Sequence, residues 1–244
     1  MCSRGPRAAR ACVSTLAHTP VPRPRPRPAL TFLSRPVPPP PLSPPSPHSY
    51  TTLLSLPSGA SVRKIGQTTW VTATSPPGTP LEAARSSGFS ANFAYIAAHG
   101  YAMTAPVLTR VADDGSVRVS FLLPASAAVA PADGSAQGVV VETLPAQTVV
   151  VKPFKGAAVV PTTWDALAAA ARPLATEAAT AQVALSAAVP AAPEAGKATD
   201  ETAAAVGPGV WLAGYSSPMT PPADKYSEVW LPVAAGASIP GVAP

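Results

Sequence analysis

TPLEAARSSGFSANFAYIAAHGYAMTAPVLTRVADDGSVRVSFLL, residues 79–123, is the stretch whose reading decides the fold. Thr79-Pro80-Leu81-Glu82 has the pattern of a helix start, with Thr79 as N-cap, Pro80 at the first helical position and Glu82 as capping-box partner. The predicted helix runs to about His99, where Gly100 can take the left-handed conformation that ends it. Phe89, Phe93 and Ile96 recur at i, i+4 and i+7 and therefore share one face. Two strands follow, Met103–Val111 and Val117–Leu123, joined by the hairpin turn Asp113-Asp114-Gly115-Ser116.

Working outward, residues 61–74 (SVRKIGQTTWVTAT) are rich in Val, Ile, Thr and Trp and read as a strand, closed by a turn at Pro76–Gly78. Beyond a Pro/Ala/Asp/Gly loop at 124–138, the order repeats. Val139–Glu142 and Thr148–Phe154 read as strands separated at Pro145. A helix from about Thr163 carries Trp164, Leu167, Ala171 and Leu174 on one face, with Pro173 placed to kink it. The segment Ala187–Gly207 has few large apolar side chains and predicts a mobile loop. Val210–Ser216 and Tyr226–Val233 close the domain, ahead of a tail at 234–244. Each half thus reads strand, helix, strand, strand. Ser120–Pro124 (SFLLP) aligns with Glu228–Pro232 (EVWLP), and Met103–Pro106 (MTAP) with Tyr215–Pro218 (YSSP). The expected fold class is α+β: duplicated β-α-β-β units forming a curved antiparallel sheet or distorted open barrel with two covering helices.

The charge separates residues 1–57 from the rest. Arg4, Arg7, Arg10, Arg23, Arg25, Arg27 and Arg35 all precede the first acidic residue, Glu82. Without them, 10 of the 17 basic residues face all 12 acidic ones, so the net +5 of the chain becomes −2 over residues 58–244. A nucleic-acid-binding face needs the opposite balance, and nucleic acid is not an expected partner. Proline holds φ and removes a donor, so the run that ends at Pro57 can propagate neither helix nor ladder. An acid-free, Arg- and Ser-containing start without an apolar h-region reads as an organelle transit peptide, a disordered basic extension being the plainer reading. Both cysteines, Cys2 and Cys12, fall in this leader, so residues 58–233 have neither a disulfide nor a thiolate metal site. No apolar stretch is long enough for a transmembrane segment.

Arg63 and Trp70, Gly88-Phe89…Tyr95-Ile96, Met103-Thr104-Ala105-Pro106-Val107, Val119–Pro124, Phe154-Lys155-Gly156 and Tyr226-Ser227-Glu228-Val229-Trp230-Leu231 occur in the order found in the SOUL/haem-binding protein family. The chain resembles that family over about residues 58–233. Where members often carry Arg-Asn ahead of the E-V-W motif, Tyr226 and Ser227 stand here, and the segment between the helix and M-T-A-P-V is shorter than usual. The resemblance implies two β-α-β-β repeats and non-covalent binding of haem or a related porphyrin in an apolar groove beside the first helix. It also favours the plastid (chloroplast) as address, with mitochondrion or cytoplasm as alternatives. The expected function is tetrapyrrole binding as carrier, buffer or sensor.

Haem is a flat apolar disc bearing two carboxylates and an iron that accepts axial ligands. The expected binding surface is Phe89, Phe93 and Ile96 flanked by Tyr95, the same spacing that any helix packed on a sheet shows. His99 is the only histidine after residue 48 and the candidate metal ligand; its plainer reading is an exposed residue at a helix end. Met103 is a weaker candidate. Arg63, Lys64, Arg85 and Lys155 are the candidate propionate partners. Catalytic motifs of the G-x-S-x-G, P-loop and H-E-x-x-H kinds are missing, and no enzymatic activity is expected. Glu228 stands apart, because alternation places it opposite Val229 within an apolar strand. A buried carboxylate there would suit a cationic ligand. The resemblance to effector-binding domains, which share the duplicated fold and bind amphiphilic cations, implies such a module as the alternative, and a hydrolase base assisted by Tyr215 or Tyr226 is a third reading.

Overall fold

Short runs of Val, Thr, Leu and aromatic residues alternate across two faces, and each becomes one strand of a single antiparallel sheet. A computed structural model describes residues 50–124, 127, 138–156, 161–190, 208–217 and 219–242, all within the unit Pro39–Pro244. Along the chain the elements are β1 (Tyr50–Ser55), β2 (Ser61–Ile65), β3 (Thr68–Ser75), α1 (Leu81–Ala98), β4 (Val107–Val111), β5 (Val117–Leu122), β6 (Val139–Leu144), β7 (Gln147–Lys155), α2 (Trp164–Thr180), β8 (Trp211–Gly214) and β9 (Tyr226–Pro232). The sheet order is β1-β2-β7-β9-β8-β4-β5-β3-β6. The sheet curls into a half-barrel, and the two helices make the fold α+β.

The duplication is visible in that order. β7-β9-β8 mirrors β3-β5-β4 across the β4/β8 contact, and α1 and α2 each leave from the outer strand of their own triplet. SFLLP and EVWLP do occupy equivalent places, on β5 and β9. The MTAP/YSSP alignment is corrected: MTAP precedes β4, whereas YSSP follows β8.

The leading strand of each repeat pairs with the other repeat. β2 lies on β7 and β6 lies on β3. Ile65 opposes Gln147 and Thr68 opposes Leu144, so the register continues unbroken past the two-residue bends at 66–67 and 145–146. The strand expected over 61–74 is therefore one long strand bent at Gly66, where the chain passes from one half of the sheet to the other.

Two further differences have local causes. The domain begins no later than Tyr50 rather than at residue 58. The proline-free run YTTLLS pairs with β2 as an edge strand, directly after the proline-rich leader. Thr79 does not cap α1: its Oγ1 donates to the Pro76 carbonyl at 2.7 Å within the preceding turn, and Pro80 holds the cap position without a side-chain bond. α2 does start as read, the Thr163 Oγ1 accepting from the Ala166 N–H. The leader, apart from this strand and its link to β2, and residues 191–207 of the expected loop lie outside the described residues.

Both helices cover one face. Beneath α2 lie Val62, Val150, Val229 and Leu231, joined by Trp164, Leu167 and Leu174 of the helix. Beneath α1 lie Val71, Ala73, Phe121 and Val139 with Tyr95 and Ile96. The opposite, concave face is closed on itself by Ile65, Trp70, Leu108, Leu122, Val149, Val151, Trp211 and Trp230. α1 sits so close that a Cβ built on Gly88 would lie 2.5 Å from the Val119 Cβ. One turn on, buried Asn92 donates from Nδ2 to the Val119 carbonyl at 2.7 Å.

Candidate functional site

The residues expected to form one groove divide between the two faces of the sheet. Arg85, Phe89, Phe93, Tyr95 and Ile96 stay together on α1, with His99 at its C-cap. Arg63 and Glu228 point to the concave face, because each alternates with a residue of the helix-covered core, Val62 and Val229. Lys64, on the other side of β2 from Arg63, is exposed, and so is Lys155 at the end of β7.

On α1 the shared face is split. Ile96 and Tyr95 are buried in the core, whereas Phe93 is 49 % exposed and Phe89 half-buried. Phe89 reaches inward edge-on to Phe121, ring centroids 5.0 Å apart, and lies parallel to Phe93 at 6.1 Å. Arg85 is one turn before Phe89 on the same stripe, in a long ion pair of 3.8 Å with Glu82, and burial lowers its pKa from the ordinary arginine value. Tyr101 and Met103 pack partly buried against the same cluster. The helix thus carries a short aromatic ridge with a cation at its amino-terminal end.

His99 is exposed just past the last turn of α1. Its ring stacks on Tyr95 at 4.1 Å and faces Tyr101 at 5.8 Å. Its Nδ1 is 2.8 Å from the Tyr95 carbonyl oxygen. A carbonyl can only accept, so this contact fixes the proton on Nδ1 in the neutral ring and leaves the Nε2 lone pair outward. Among the described residues no three of His, Cys, Asp and Glu come together to hold a bare metal ion. A disc bringing its own four nitrogens would need only one ligand of this kind. Ridge, cation and imidazole are the residue types such a group would use, although the His99 ring lies against Tyr95 and Tyr101 and the ridge against Phe121.

The concave site is of a different kind. Glu228, 2 % exposed, receives four donors. Arg63 Nη1 at 2.9 Å and the Tyr226 hydroxyl at 2.8 Å reach Oε1. The Tyr215 hydroxyl at 2.7 Å and the Trp230 indole N–H at 2.8 Å reach Oε2. Arg63 is held in turn by Ser61 Oγ at 2.9 Å and lies 4.5 Å over the Tyr50 ring of β1. Burial, then the charge and hydrogen bond of Glu228, raises the pKa of both tyrosines, Tyr226 to about 12. Burial opposes the charge on Arg63, but the partnership with Glu228 outweighs it and raises its pKa. An ionised carboxylate has about four acceptor positions, so Glu228 is filled from within the chain.

Sequence reasoning missed a third cluster. Arg110 and Arg118 face each other across β4 and β5, with Glu142 of β6 reaching both. The hairpin turn read over Asp113–Ser116 would set 110 opposite 119. The loop is instead three residues, 113–115, closed by the Ala112 N–H donating to the Ser116 carbonyl at 2.8 Å, and that register makes 110 and 118 cross-strand partners.

The family model described as SOUL heme-binding protein matches residues 47–232. The chain belongs to the SOUL haem-binding protein family. No curated protein sequence matches it. Among solved structures, this SOUL chain is similar to the EcmrR C-terminal domain at 14 % identity and TM-score 0.50, covering 71 % of this chain and 96 % of that one. A hydrolase from Listeria innocua matches at 12 % identity and TM-score 0.40, covering 71 % and 91 %. SAV2435 bound to tetraphenylphosphonium matches at 14 % and 0.38, covering 72 % and 94 %. At these identities the likeness to the EcmrR domain speaks for the fold alone. Among the described residues no helix is long and apolar enough to cross a membrane.

Proposed function

We propose that this SOUL chain binds haem or a related tetrapyrrole non-covalently on the α1 side, as a carrier, buffer or sensor. The observation that carries the reading is the Phe89–Phe93 ridge, which leaves a large aromatic face in water beside Arg85. Membership of the SOUL family supports haem as the ligand class. Phe89 and Phe93 would offer the disc an apolar bed, Arg85 a propionate partner, and His99 an outward Nε2; bound haem would contribute a porphyrin ring that absorbs in the Soret region and an iron that takes a ligand. The chain's own part is to keep the ridge exposed and the imidazole turned outward.

Hemin titrated into the full chain is expected to give a saturable Soret shift near one equivalent. Phe93→Ala should weaken it by about tenfold, the equivalent of ~1.4 kcal/mol for an aromatic face half removed from water. His99→Ala should displace the band without abolishing binding. No saturable shift at micromolar protein, or one indifferent to Phe93, would remove the reading.

The geometry does not favour an amphiphilic cation at Glu228, because Arg63 already stands where that cation would. Nor does it favour Glu228 as a hydrolytic base, since both oxygens accept two bonds each. For the cell address, the acid-free Arg-rich start supports import into an organelle, and the family resemblance favours the plastid, with mitochondrion or cytoplasm as the alternatives. A fluorescent reporter fused behind residues 1–57 should enter plastids and remain cytosolic when Arg4, Arg7 and Arg10 are replaced by Gln; entry into mitochondria would redirect the assignment.

A further inference from the structure

The chain leaves α2 by turning back along it. Ala181 is the C-cap, and the Gln182 and Val183 N–H groups donate to the Ala179 and Ala178 carbonyls at 3.0 and 2.8 Å. Gln182 takes the left-handed position of this closure, φ +58°, which glycine usually fills. The returning residues are fixed at two places. The Ser186 N–H donates to the Pro232 carbonyl and the Ala184 carbonyl accepts from the Ala234 N–H, each at 2.9 Å, at the end of β9. Farther on, Arg172 Nε donates to the Pro190 carbonyl at 3.1 Å. That bond brings Pro190 level with Arg172, roughly 15 Å back along the helix at 1.5 Å per residue.

Helix and returning segment do not close on each other between these anchors. An open groove of about 590 Å³ lies there, within the roughly 300–1,000 Å³ of small-molecule sites. Ala175 and Ala179 form its helix wall, and Val183, Leu185 and Val189 stand opposite. Side chains as small as alanine leave space that larger ones at 175 and 179 would fill. Leu185 and Val189 are only partly buried against the core beneath α2, so apolar surface stays in water along the groove.

Polar groups stand at the two ends. Gln182 lines the groove at the turn, and its side-chain amide has no partner among the described residues. Arg172 lies at the other end, on the same stripe of α2 as Ala175 and Ala179. Of the five N–H groups of its guanidinium, only Nε is met among the described residues. The Nη donors are not sealed, because Arg172 is half-buried and has no buried donor without a partner. Among the described residues no acid lines the groove. Glu177, on the same half of α2, is taken up by the Ser58 N–H and Oγ. The groove thus has uncharged apolar walls and one uncompensated positive charge at its end.

We propose that this groove binds one fatty acid, its hydrocarbon chain along Ala175 and Ala179 and its carboxylate on the Nη groups of Arg172. The apolar walls take the chain out of water, and a planar guanidinium can hold a carboxylate through two parallel bonds. A cationic amphiphile would meet a like charge at the same end. A course along one side of a helix suits a single chain rather than a broad ring. None of these residues belongs to the α1 ridge, so the site stands or falls independently of the tetrapyrrole reading.

The test is an NMR titration of the full chain with dodecanoate below its micelle concentration, following the backbone amide signals. The site predicts saturable movement of signals from residues 175–189, with half-saturation on the order of 100 µM. Ala179→Phe, at an exposed helix position, fills the groove and should weaken binding at least about tenfold. Arg172→Gln removes the charge and should weaken it about fivefold. Dodecyltrimethylammonium, the same chain on a cation, should not saturate these signals. Movement that is absent or linear over 175–189, that is confined to α1, or that persists undiminished in either variant overturns the site. Equal saturation by the two amphiphiles overturns the choice of a fatty acid.

Discussion

Glu228 illustrates how much one side chain can organise. Two hydroxyls, an indole N–H and a guanidinium converge on it from β2, β8 and β9. Removing one partner of such a pair strands the other in the interior, at a cost of about 3 kcal/mol when the lost partner is near the mouth as Arg63 is. Arg63→Met should therefore lower the unfolding free energy by that order, and Arg63→Met combined with Glu228→Gln should recover a large part of it in denaturant melts. The tyrosines make a second prediction. Their folded pKa values lie above the ordinary value of 10.0, Tyr226 at about 12, so folding favours the protonated hydroxyl. This stabilisation is complete below pH 10 and is lost as pH rises through the folded values, because the unfolded chain ionises first. Urea midpoints should hold to about pH 10 and fall steeply toward pH 12, while two of the tyrosinate signals appear only as the protein unfolds. Alternation alone placed Glu228 inside an apolar strand and across from Val229. It could not place Arg63 beside it, because 165 residues separate them and only the β2–β7–β9 pairing brings them together.

At the level of elements, α1 is positioned by what it lacks at one residue. Gly88 allows the helix axis to approach β5 so closely that a methyl group there would overlap the Val119 side chain. Gly88→Ala is expected to push α1 outward, destabilising the fold by about 1–3 kcal/mol and weakening the Asn92 bond to Val119. Amide exchange in α1 should rise while α2 stays protected; unchanged protection of α1 would show that Val119 yields instead. The helix period gave the length of α1 and the left-handed Gly100, which has φ +68°. It did not separate Phe93, left in water, from Tyr95, fully packed. That split depends on where the curled sheet lies beneath the helix, and the helix sequence does not encode it. The same holds for the strand of residues 61–74: its β-branched run was legible, while the bend at Gly66 is dictated by its change of partner from β7 to β6.

Across the whole molecule, the two repeats are joined by more than their linker. β2 and β6 each complete the other repeat's half of the sheet, so neither half has its full set of strands without the other. A protease site inserted among residues 128–137 and then cut should leave both fragments eluting together as one species under native conditions. Fragments that separate and remain folded would contradict the pairing. The duplicated order was readable because each repeat keeps its own strand, helix, strand, strand rhythm. The exchange of leading strands was not, since Gly66–Gln67 and Pro145–Ala146 are as short as hairpin turns and suit folding back as well as running on.

That exchange also bears on descent. A lone ancestral unit would have carried its first strand as a loose arm, with a companion's body as the nearest place to lay it. Two such units clasping each other's arms make a symmetric homodimer with nothing left dangling, and splicing their genes end to end would yield the present arrangement in a single polypeptide. Each half could then drift apart in sequence, one keeping an acid at its centre and the other a serine, while the clasp itself stayed in place.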